Sequence, residues 1–375
     1  MPLSQDEIAF LGNVRRWMDR EVAPHVAAWD EAGTFPRELY KKAAGVGVLA
    51  VGFPEHLGGV GGSARLRVAL QREICRPGSG GLLAGLFSHG IAAPPIVALG
   101  SAEQQARLLP GILAGDKIAA LAVTEPGGGS DVANLRTTAI RDGNVFRVNG
   151  EKAFITSGIR AEILTVAVRT GGPGASGVSI LVVEGNPRGL TRAPMQKMGW
   201  WCSDTALLHF EDVEVPVENL IGELGFGFLG LMQNFNGERL GLAAAAWAFA
   251  EECLAEATDW ARARETFGKP LISRQVIRHQ LVDMKMRIEA VRALLYEVAE
   301  RLDAGEEPVA DVCMLKNLAT ETLEFVAGKC VQILGGSGYI RGCKSERIFR
   351  ESKVLSIGGG ASEVLTDLAA RQLGW

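Results

Sequence analysis

The sequence predicts a mainly α-helical protein with a central β domain, and three observations lead to this prediction. Helical periodicity extends over residues 4 to about 118, short strand-like runs fill residues 119 to about 224, and helical periodicity returns from about residue 226. The strands do not alternate with helices, which argues against a Rossmann or TIM-barrel fold. We therefore expect three domains, at residues 1–118, 119–225 and 226–375.

Composition and charge exclude several classes of protein. The chain has 375 residues, 47% hydrophobic and 22% charged, enough for a large core and two or three domains. Its net charge of −4 does not suggest a nucleic-acid binder. Six scattered cysteines without a CxxC pair, and five histidines without ligand-like spacing, predict no metal site. Scattered free thiols suit a reducing compartment. The sequence shows no signal- or transit-peptide pattern, and its apolar runs fall short of the roughly 20 residues that a bilayer needs. These features favour a cytoplasmic protein.

The N-terminal region opens with a helix-start signal and continues as helices. Ser4 is the predicted cap of a capping box in which Glu7 reaches back to it. Apolar residues then recur at helical spacing at Ile8, Leu11, Val14 and Met18. Glycine- and proline-rich breaks follow in "FPEHLGGVGGS" and "CRPGSGG".

Strand-like runs of similar length fill the central region, and a long amphipathic helix lies beyond it. The run around Asp142 and Gly143 carries a hairpin turn signal. Further runs are "EILTVAVRT", "VSILVVEG" and "TALLHFEDVEV". In the C-terminal region, a core-facing helical stripe is predicted at Ile277, Leu281, Met284, Ile288, Val291, Leu295, Val298 and Leu302.

Three stretches raise the question of a ligand site. "GFGFLG", residues 225–230, lacks the βαβ context of a dinucleotide fingerprint, so we interpret it as a helix entry. "VTEPGGGSDVANL", from residue 123, combines three glycines with the hydroxyls of Thr124 and Ser130, which suits a ligand cradle or a plain turn between strands. "FITSG" places Phe154 and Thr156 at a strand end, which suits a flat conjugated ring or simple core packing.

The order of several motifs closely resembles the acyl-CoA dehydrogenase family. These motifs are "VTEPGGGSD", "FITSG", "CSDTALLHFEDVEVP", "RETFGK" and "QILGGSGY", with "FPEHLGGVGG" near the N-terminus. The resemblance implies an N-terminal helical domain, a middle β-barrel-like domain and a C-terminal four-helix bundle. It also implies bound FAD, a homotetramer, an acyl-CoA substrate and an electron-transferring flavoprotein as acceptor. In the family reaction a carboxylate takes the α-proton and the β-hydrogen leaves as hydride to flavin N5.

The resemblance further implies which residues bind FAD and CoA. The cradle of the flavin and acyl-CoA is expected at Leu121, Val123, Thr124, Gly129, Ser130, Phe154 and Thr156. Residues that reach the FAD of a neighbouring subunit are expected at Arg264, Phe267, Gln332, Gly335 and Gly336. Ala361 and Glu363 lie where relatives touch FAD. Contacts with CoA are expected from Phe235, Asn236 and Arg239, and also from Ser130.

The chain departs from the common family pattern at the catalytic base. Where most relatives carry a "Y-E-G-T" stretch near the C-terminus, this chain reads "GGGA", so that Gly359 replaces the glutamate. Either the protein is inactive, or the base comes from elsewhere, as in the similar isovaleryl-CoA and long-chain acyl-CoA dehydrogenases. Glu238 matches their base. Its helix neighbours Gly241, Leu242 and Ala245 are uncharged, so desolvation should raise its pKa.

These observations predict an FAD-dependent acyl-CoA dehydrogenase with Glu238 as base. The Gly359 N–H is expected to hold the thioester carbonyl without any side chain, since glycine leaves the backbone open. The acyl chain is expected to be medium to long, or branched. Two alternatives stay open: an acyl-CoA oxidase-like flavoenzyme, and a catalytically silent flavin or acyl-CoA binding protein.

Overall fold

The N-terminal region is helical, as the sequence predicts. The computed structural model describes residues 3–375, with the side chains of Gln233 and Asn234 excepted. Ser4 accepts a hydrogen bond from the Glu7 N–H at 3.2 Å and donates its own N–H to Glu7 Oε2 at 2.7 Å, which confirms the capping box. The α-helices of this region are α1 Gln5–Trp17, α2 Val26–Ala32, α3 Glu38–Val46, α4 Ala64–Cys75, α5 Gly80–Leu86, α6 His89–Ala92, α7 Pro94–Leu99 and α8 Ala102–Leu113.

The central region forms one twisted, largely antiparallel sheet. Its strands are β1 Ala119–Ala122, β2 Thr138–Asp142, β3 Val145–Thr156, β4 Ile163–Arg169, β5 Val178–Glu184, β6 Leu190–Pro194, β7 Thr205–Pro216 and β8 Leu220–Ile221. The order across the sheet is β6-β7-β3-β2-β4-β5-β8, and β1 pairs in parallel with β4. The fold class is confirmed, but the sheet is open. Among the described strands the short β6 and β8 end it at opposite edges, so the expected barrel does not close.

Strands β2 and β3 form the predicted hairpin. Asp142 pairs with Val145 across the turn, and Gly143 adopts a φ of +61°, a conformation that glycine reaches without strain. Further along β3, its register against β7 shifts between Lys152 and Ile155. Such an irregularity redirects side chains locally. It lies at the end of the strand that carries the "FITSG" motif.

The C-terminal region is the predicted helical bundle. Its elements are α9 Gly227–Ala263, β9 Glu265–Thr266, β10 Lys269–Pro270, α10 Gln275–Asp303, α11 Val309–Leu334, α12 Gly336–Tyr339, α13 Lys344–Ile357 and α14 Ser362–Gln372. Helix α11 packs on α9, α10, α13 and α14, and α9 also packs on α10 and α13. On α10, six residues of the predicted stripe are buried, while Ile277 and Leu302 are partly buried beside them. The stripe prediction is confirmed.

Two contacts tie the three regions together. Asp303, at the end of α10, accepts hydrogen bonds from the N–H groups that begin α4, with Ala64 N at 2.6 Å. Glu351 of α13 accepts from Gly80 N at 2.7 Å and from Trp200 N at 3.0 Å. A buried carboxylate therefore joins an N-terminal helix, a loop of the β region and the bundle. This arrangement fixes how the bundle faces the sheet.

No single helix among the described residues is long and apolar enough to cross a membrane. The helical segments Gly80–Leu86 and His89–Leu99 reach that length and apolar composition only when taken together, and the pair is bent by 49° at the break between them.

Candidate active site

Glu238 lies against the loop that replaces the missing carboxylate. The residue is on α9, three turns from its start, and the loop joins α13 to α14. A Cβ placed on Gly359 would lie 3.6 Å from Glu238 Oε1 and 2.6 Å from Leu242 Cδ1. Gly359 has a φ of +67°, which L-residues with side chains rarely adopt. The carboxylate of Glu238 thus occupies the space in front of Gly359.

Arg239 holds the same loop from the neighbouring position on α9. It is 7% exposed, and its Nε donates to Gly359 O at 3.2 Å. Its Nη1 donates to Asn236 Oδ1 at 3.2 Å, and its guanidinium lies 5.6 Å from the centre of the Phe235 ring. The predicted CoA-binding residues Phe235, Asn236 and Arg239 are therefore in mutual contact. Although Glu238 and Arg239 are adjacent on the helix, both side chains lie against the loop that contains Gly359.

Burial changes the acid–base properties of Glu238. The residue is half-buried, and desolvation raises the pKa of its carboxyl to about 7, against the opposing charges of Arg239 and Lys316. Lys316 comes from α11 and was not singled out in the sequence, because 78 residues separate it from Glu238. A carboxylate with a pKa near neutrality suits a general base.

The loop beside Glu238 presents free backbone donors. The N–H groups of Gly359 and Gly360 have no acceptor among the described residues, although their carbonyls accept from Arg239 and Lys316. Gly360 also has a positive φ, of +107°. Unpaired N–H groups in a partly buried loop suit a carbonyl or oxyanion.

The glycine-rich loop after β1 is a second group of open donors. Gly127 and Gly128 have no atom within 4 Å of an added Cβ. The N–H groups of Gly127, Gly129 and Ser130 find no acceptor in the part of the chain that the structure describes. Gly129 and Ser130 are exposed, whereas Leu121, Val123 and Thr124 are half-buried. Such a row of N–H groups suits a polar or anionic ligand.

A buried ion pair braces this loop from below. Lys152 of β3 is 0% exposed, and its Nζ donates to Glu125 Oε1 at 2.8 Å and to Val123 O at 2.9 Å. Glu125 also accepts from the N–H groups of Arg136 and Thr137, at 2.6 and 2.8 Å. Burial lowers the pKa of Lys152 to about 8, against the raising effect of the Glu125 carboxylate. The ion pair therefore joins the start of the glycine-rich loop to strand β3.

Removing this brace is expected to destabilise the loop and the sheet. Lys152→Met leaves the largely buried Glu125 carboxylate without its ammonium, which typically costs about 3–5 kcal/mol. We expect a lower urea midpoint and a lower FAD content in the purified protein. The double variant Lys152→Met/Glu125→Gln should recover part of both, since no charge is left unpaired. Unchanged values in the single variant would contradict this role.

Phe154 and Thr156 stand at the exposed end of β3. Phe154 is 63% exposed with a φ of +61°, and Ser157 has a φ of +60°. Strained backbone of this kind is held by its surroundings and is frequent at functional sites. Thr156 lies between the two strained residues and is half-buried. An exposed aromatic ring beside a hydroxyl fits the predicted contact with a flat ring.

One hydrophobic cluster connects β1 with the start of α9. Leu121 and Val123 pack against it from the sheet side, and Phe228 and Met232 pack against it from α9. Glu238 lies six residues beyond Met232, about 9 Å along the helix. The strand that leads into the glycine-rich loop and the helix that carries Glu238 therefore share one hydrophobic cluster.

Five of the predicted FAD residues lie elsewhere. Arg264 ends α9, 26 residues after Glu238, or about 39 Å along the axis. Phe267 follows in the β9–β10 turn and is 96% exposed. Gln332, Gly335 and Gly336 are exposed at the end of α11. Arg264 is thus far from Glu238 along α9, and the contact of these five residues with a neighbouring subunit's FAD stays a prediction. Ala361 and Glu363 lie at the start of α14, half-buried and exposed respectively.

Comparison with known proteins shows which family the chain belongs to. The family profiles described as "Acyl-CoA dehydrogenase" match in all three parts: the N-terminal domain at residues 4–116, the middle domain at 120–213 and the C-terminal domain at 225–374. The chain belongs to the acyl-CoA dehydrogenase family. It is an oxidoreductase, and FAD is the cofactor of this family.

Individual relatives of this acyl-CoA dehydrogenase are similar over nearly the whole chain. The mitochondrial isobutyryl-CoA dehydrogenase of Bos taurus is 36% identical, over 100% of this chain and 90% of the relative. A crystal structure of a putative acyl-CoA dehydrogenase from Mycobacterium smegmatis has a TM-score of 0.97 and 46% identity, and it covers 99% of this chain and 98% of that one. A glutaryl-CoA dehydrogenase from M. smegmatis in complex with FADH2 has a TM-score of 0.93 and 27% identity, covering 100% and 96%.

The residues present in this acyl-CoA dehydrogenase fit a flavin. The open N–H groups of Gly127, Gly129 and Ser130 can donate to carbonyl and phosphate oxygens. The exposed Phe154 ring provides an apolar surface at the end of β3. An added Cβ at Gly127 or Gly128 would meet nothing, so the backbone is approachable.

Proposed function

We propose that this enzyme removes the α-proton of an acyl-CoA thioester with Glu238 and forms the trans-2-enoyl-CoA. One observation supports the proposal most: Glu238 Oε1 lies 3.6 Å from the Cβ position of Gly359, the residue that replaces the usual carboxylate. The carboxylate of Glu238, on α9, therefore lies next to the loop position at which most relatives carry theirs. The identity of the base and of every binding residue is part of this proposal.

The protein's own groups divide the chemistry between them. Glu238 accepts the proton from the α-carbon, and burial favours this because its pKa is raised to about 7. FAD, when bound, supplies flavin N5 as the acceptor of the β-hydride. Thr156, Phe154 and the loop from Thr124 to Ser130 bind and orient the ring system, together with Leu121 and Val123.

Negative charge that develops on the thioester oxygen needs a fixed donor. We assign this role to the Gly359 N–H, which has no acceptor among the described residues. Arg239 holds Gly359 O, in the peptide that follows this N–H, and its positive charge lies next to the base. Donors that are already oriented stabilise an oxyanion without reorganisation during the reaction.

Substrate and partners follow from family membership and the position of the base. We propose a medium- to long-chain or branched acyl group, in fatty acid or related acyl-CoA oxidation, and an electron-transferring flavoprotein as acceptor. We also propose a homotetramer, since Arg264, Phe267 and the end of α11 are exposed and distant from Glu238. The domain boundaries at 118/119 and 225/226 and the cytoplasmic location stay predictions.

The rate of flavin reduction is expected to rise with pH through about 7. Only the carboxylate form of Glu238 accepts a proton, and its pKa is raised to about 7 by burial. Below that pH the group is protonated and inactive, and above it the group is ionised. Stopped-flow kcat/KM for flavin reduction between pH 5.5 and 8.5 should show this midpoint. A rate that stays constant over this pH range, as expected for a glutamate with the ordinary pKa of 4.5, would contradict a desolvated base.

Anaerobic bleaching of the flavin tests the proposed function itself. Holoenzyme is mixed with isobutyryl-, isovaleryl-, octanoyl- or palmitoyl-CoA, and absorbance near 450 nm is followed. Bleaching by at least one thioester is expected, with slow reoxidation when air is admitted. Rapid reoxidation would favour an oxidase. A spectrum that responds to none of the four would favour a silent binding protein.

A further inference from the structure

A fully buried lysine lies behind the proposed base. Lys316 of α11 is 0% exposed, and its Nζ donates to Gly360 O at 2.9 Å. Burial and the nearby Arg239 charge together lower its pKa to about 8, while the Glu238 carboxylate opposes both. A buried ammonium is costly unless its charge and donors are used. The lysine therefore requires an explanation beyond packing.

The hydrogen bond of Lys316 acts on the conformation of the loop. The segment from Gly358 to Ala361 contains two consecutive glycines with positive φ, a backbone with many alternatives. Arg239 holds Gly359 O from α9, and Lys316 holds Gly360 O from α11. In a trans peptide the C=O and the next N–H point in opposite directions. Two cations on successive carbonyls therefore fix the planes of two successive peptides, whose N–H groups belong to Gly360 and Ala361. The Gly359 N–H belongs to the peptide just before them, so its position depends on this fixed segment.

The charge of Lys316 acts on Glu238. The charged groups that face Glu238 are Arg239 on its own helix and Lys316 on α11. The titratable groups that face Lys316 are Arg239, Glu238, the neutral thiol of Cys313 on α11, and Glu363 on α14. A positive charge near a carboxylate favours its ionised form. Without Lys316, only Arg239 would oppose the desolvation of Glu238.

We propose that Lys316 is a positioning residue of the reaction, which holds the Gly358–Ala361 loop in its donor-presenting conformation and favours the ionised form of Glu238. This rests on the proposed function, because both effects matter only if Glu238 is the base and the loop receives the thioester. The hydrogen bond and the charge are separable roles, and substitutions at this position distinguish them.

Three variants of the FAD-loaded enzyme test the proposal. Lys316→Met removes the hydrogen bond and the charge while keeping the aliphatic length. Lys316→Gln removes the charge but keeps one donor. Asn317→Ala is the matched control: Asn317 is the next residue on α11 and donates to Ser362 O at 2.9 Å, so the control loosens the start of α14 and leaves the charges unchanged. The readout is the anaerobic reduction rate against pH, with the thioester that reduces the wild type fastest.

We expect the maximal rate of Lys316→Met to fall by about 10- to 100-fold, and its pH midpoint to rise by about one unit, at unchanged FAD content. Lys316→Gln should regain part of the rate and keep the raised midpoint. Asn317→Ala should match the wild type in both. If Lys316→Met does not fold, the midpoint of Lys316→Gln decides alone.

A wild-type midpoint in every Lys316 variant that binds FAD would overturn the inference, whatever its stability. This outcome is distinct from failure of the proposed function. If no thioester bleaches the wild type, the function is wrong. If Glu238→Gln is reduced as fast as the wild type, the base is wrong. The inference on Lys316 fails separately when a thioester bleaches the wild type, Glu238→Gln is reduced slowly, and every Lys316 variant that binds FAD keeps the wild-type midpoint.

Discussion

Replacing Glu238 by Gln is expected to slow anaerobic flavin reduction by about 1,000-fold, because a positioned general base contributes roughly 10²- to 10⁴-fold. Gln has nearly the same size as Glu and cannot accept the α-proton. It also removes a half-buried carboxylate whose pKa is raised, so folding should not suffer. FAD content and the absorbance spectrum are expected to stay as in the wild type. Stopped-flow absorbance with excess thioester measures the rate.

A carboxylate on the same helix provides the control for this variant. Glu251 also has a pKa raised by burial, and it pairs with Arg72 at 2.8 Å. It lies 13 residues beyond Glu238, or about 20 Å along α9. Glu251→Gln should therefore be reduced at close to the wild-type rate. Equal losses in both variants would mean that the effect is general to the bundle, and the assignment of Glu238 would fail.

Replacing Gly359 by Ala is expected to lower the rate of flavin reduction by about 10- to 100-fold. The added Cβ would lie 2.6 Å from Leu242 Cδ1, too close for an undisturbed contact, and 3.6 Å from Glu238 Oε1. The φ of +67° adds backbone strain of about 1–3 kcal/mol for a residue with a side chain. The loop must shift, and with it the N–H group that we assign to the thioester oxygen. Single-turnover reduction and KM for the thioester measure both effects.

The neighbouring glycine is a matched control. Gly358 has a φ of −66° and a ψ of 153°, which alanine adopts without strain. Its added Cβ would meet only Val354 O, at 3.4 Å. Gly358→Ala is therefore expected to keep the wild-type rate within about twofold. If Gly359→Ala is equally active, an open backbone at residue 359 is not required, and the proposed oxyanion donor is wrong.

Features that depend on a few neighbouring residues, or on motifs in a fixed order along the chain, could be predicted from the sequence. The capping box at Ser4, the Asp142–Gly143 turn and the α10 stripe depend on neighbours within a few residues, and all three are confirmed. The replacement of the usual acid by Gly359 was visible in one short stretch. The structure now places Glu238 beside it, although its role as base stays a proposal.

Features that depend on distant contacts could not be predicted. Lys316 in "MLKNLA" looks like any lysine on an amphipathic helix, and only packing of α11 on α9 buries it. The Lys152–Glu125 pair joins residues 27 positions apart beneath a loop that the sequence marked only by its glycines. Closure of the sheet depends on whether the edge strands β6 and β8 meet, and strand length and propensity carry no information on that.

The most direct test of the central claim is proton exchange at the α-carbon. Wild-type holoenzyme and Glu238→Gln are incubated anaerobically in D₂O with the thioester that reduces the wild-type flavin, and deuterium in the recovered acyl-CoA is measured by mass spectrometry. We predict α-deuterium with the wild type and only the non-enzymatic level with Glu238→Gln. Incorporation at the wild-type rate by Glu238→Gln would show that another group removes the proton.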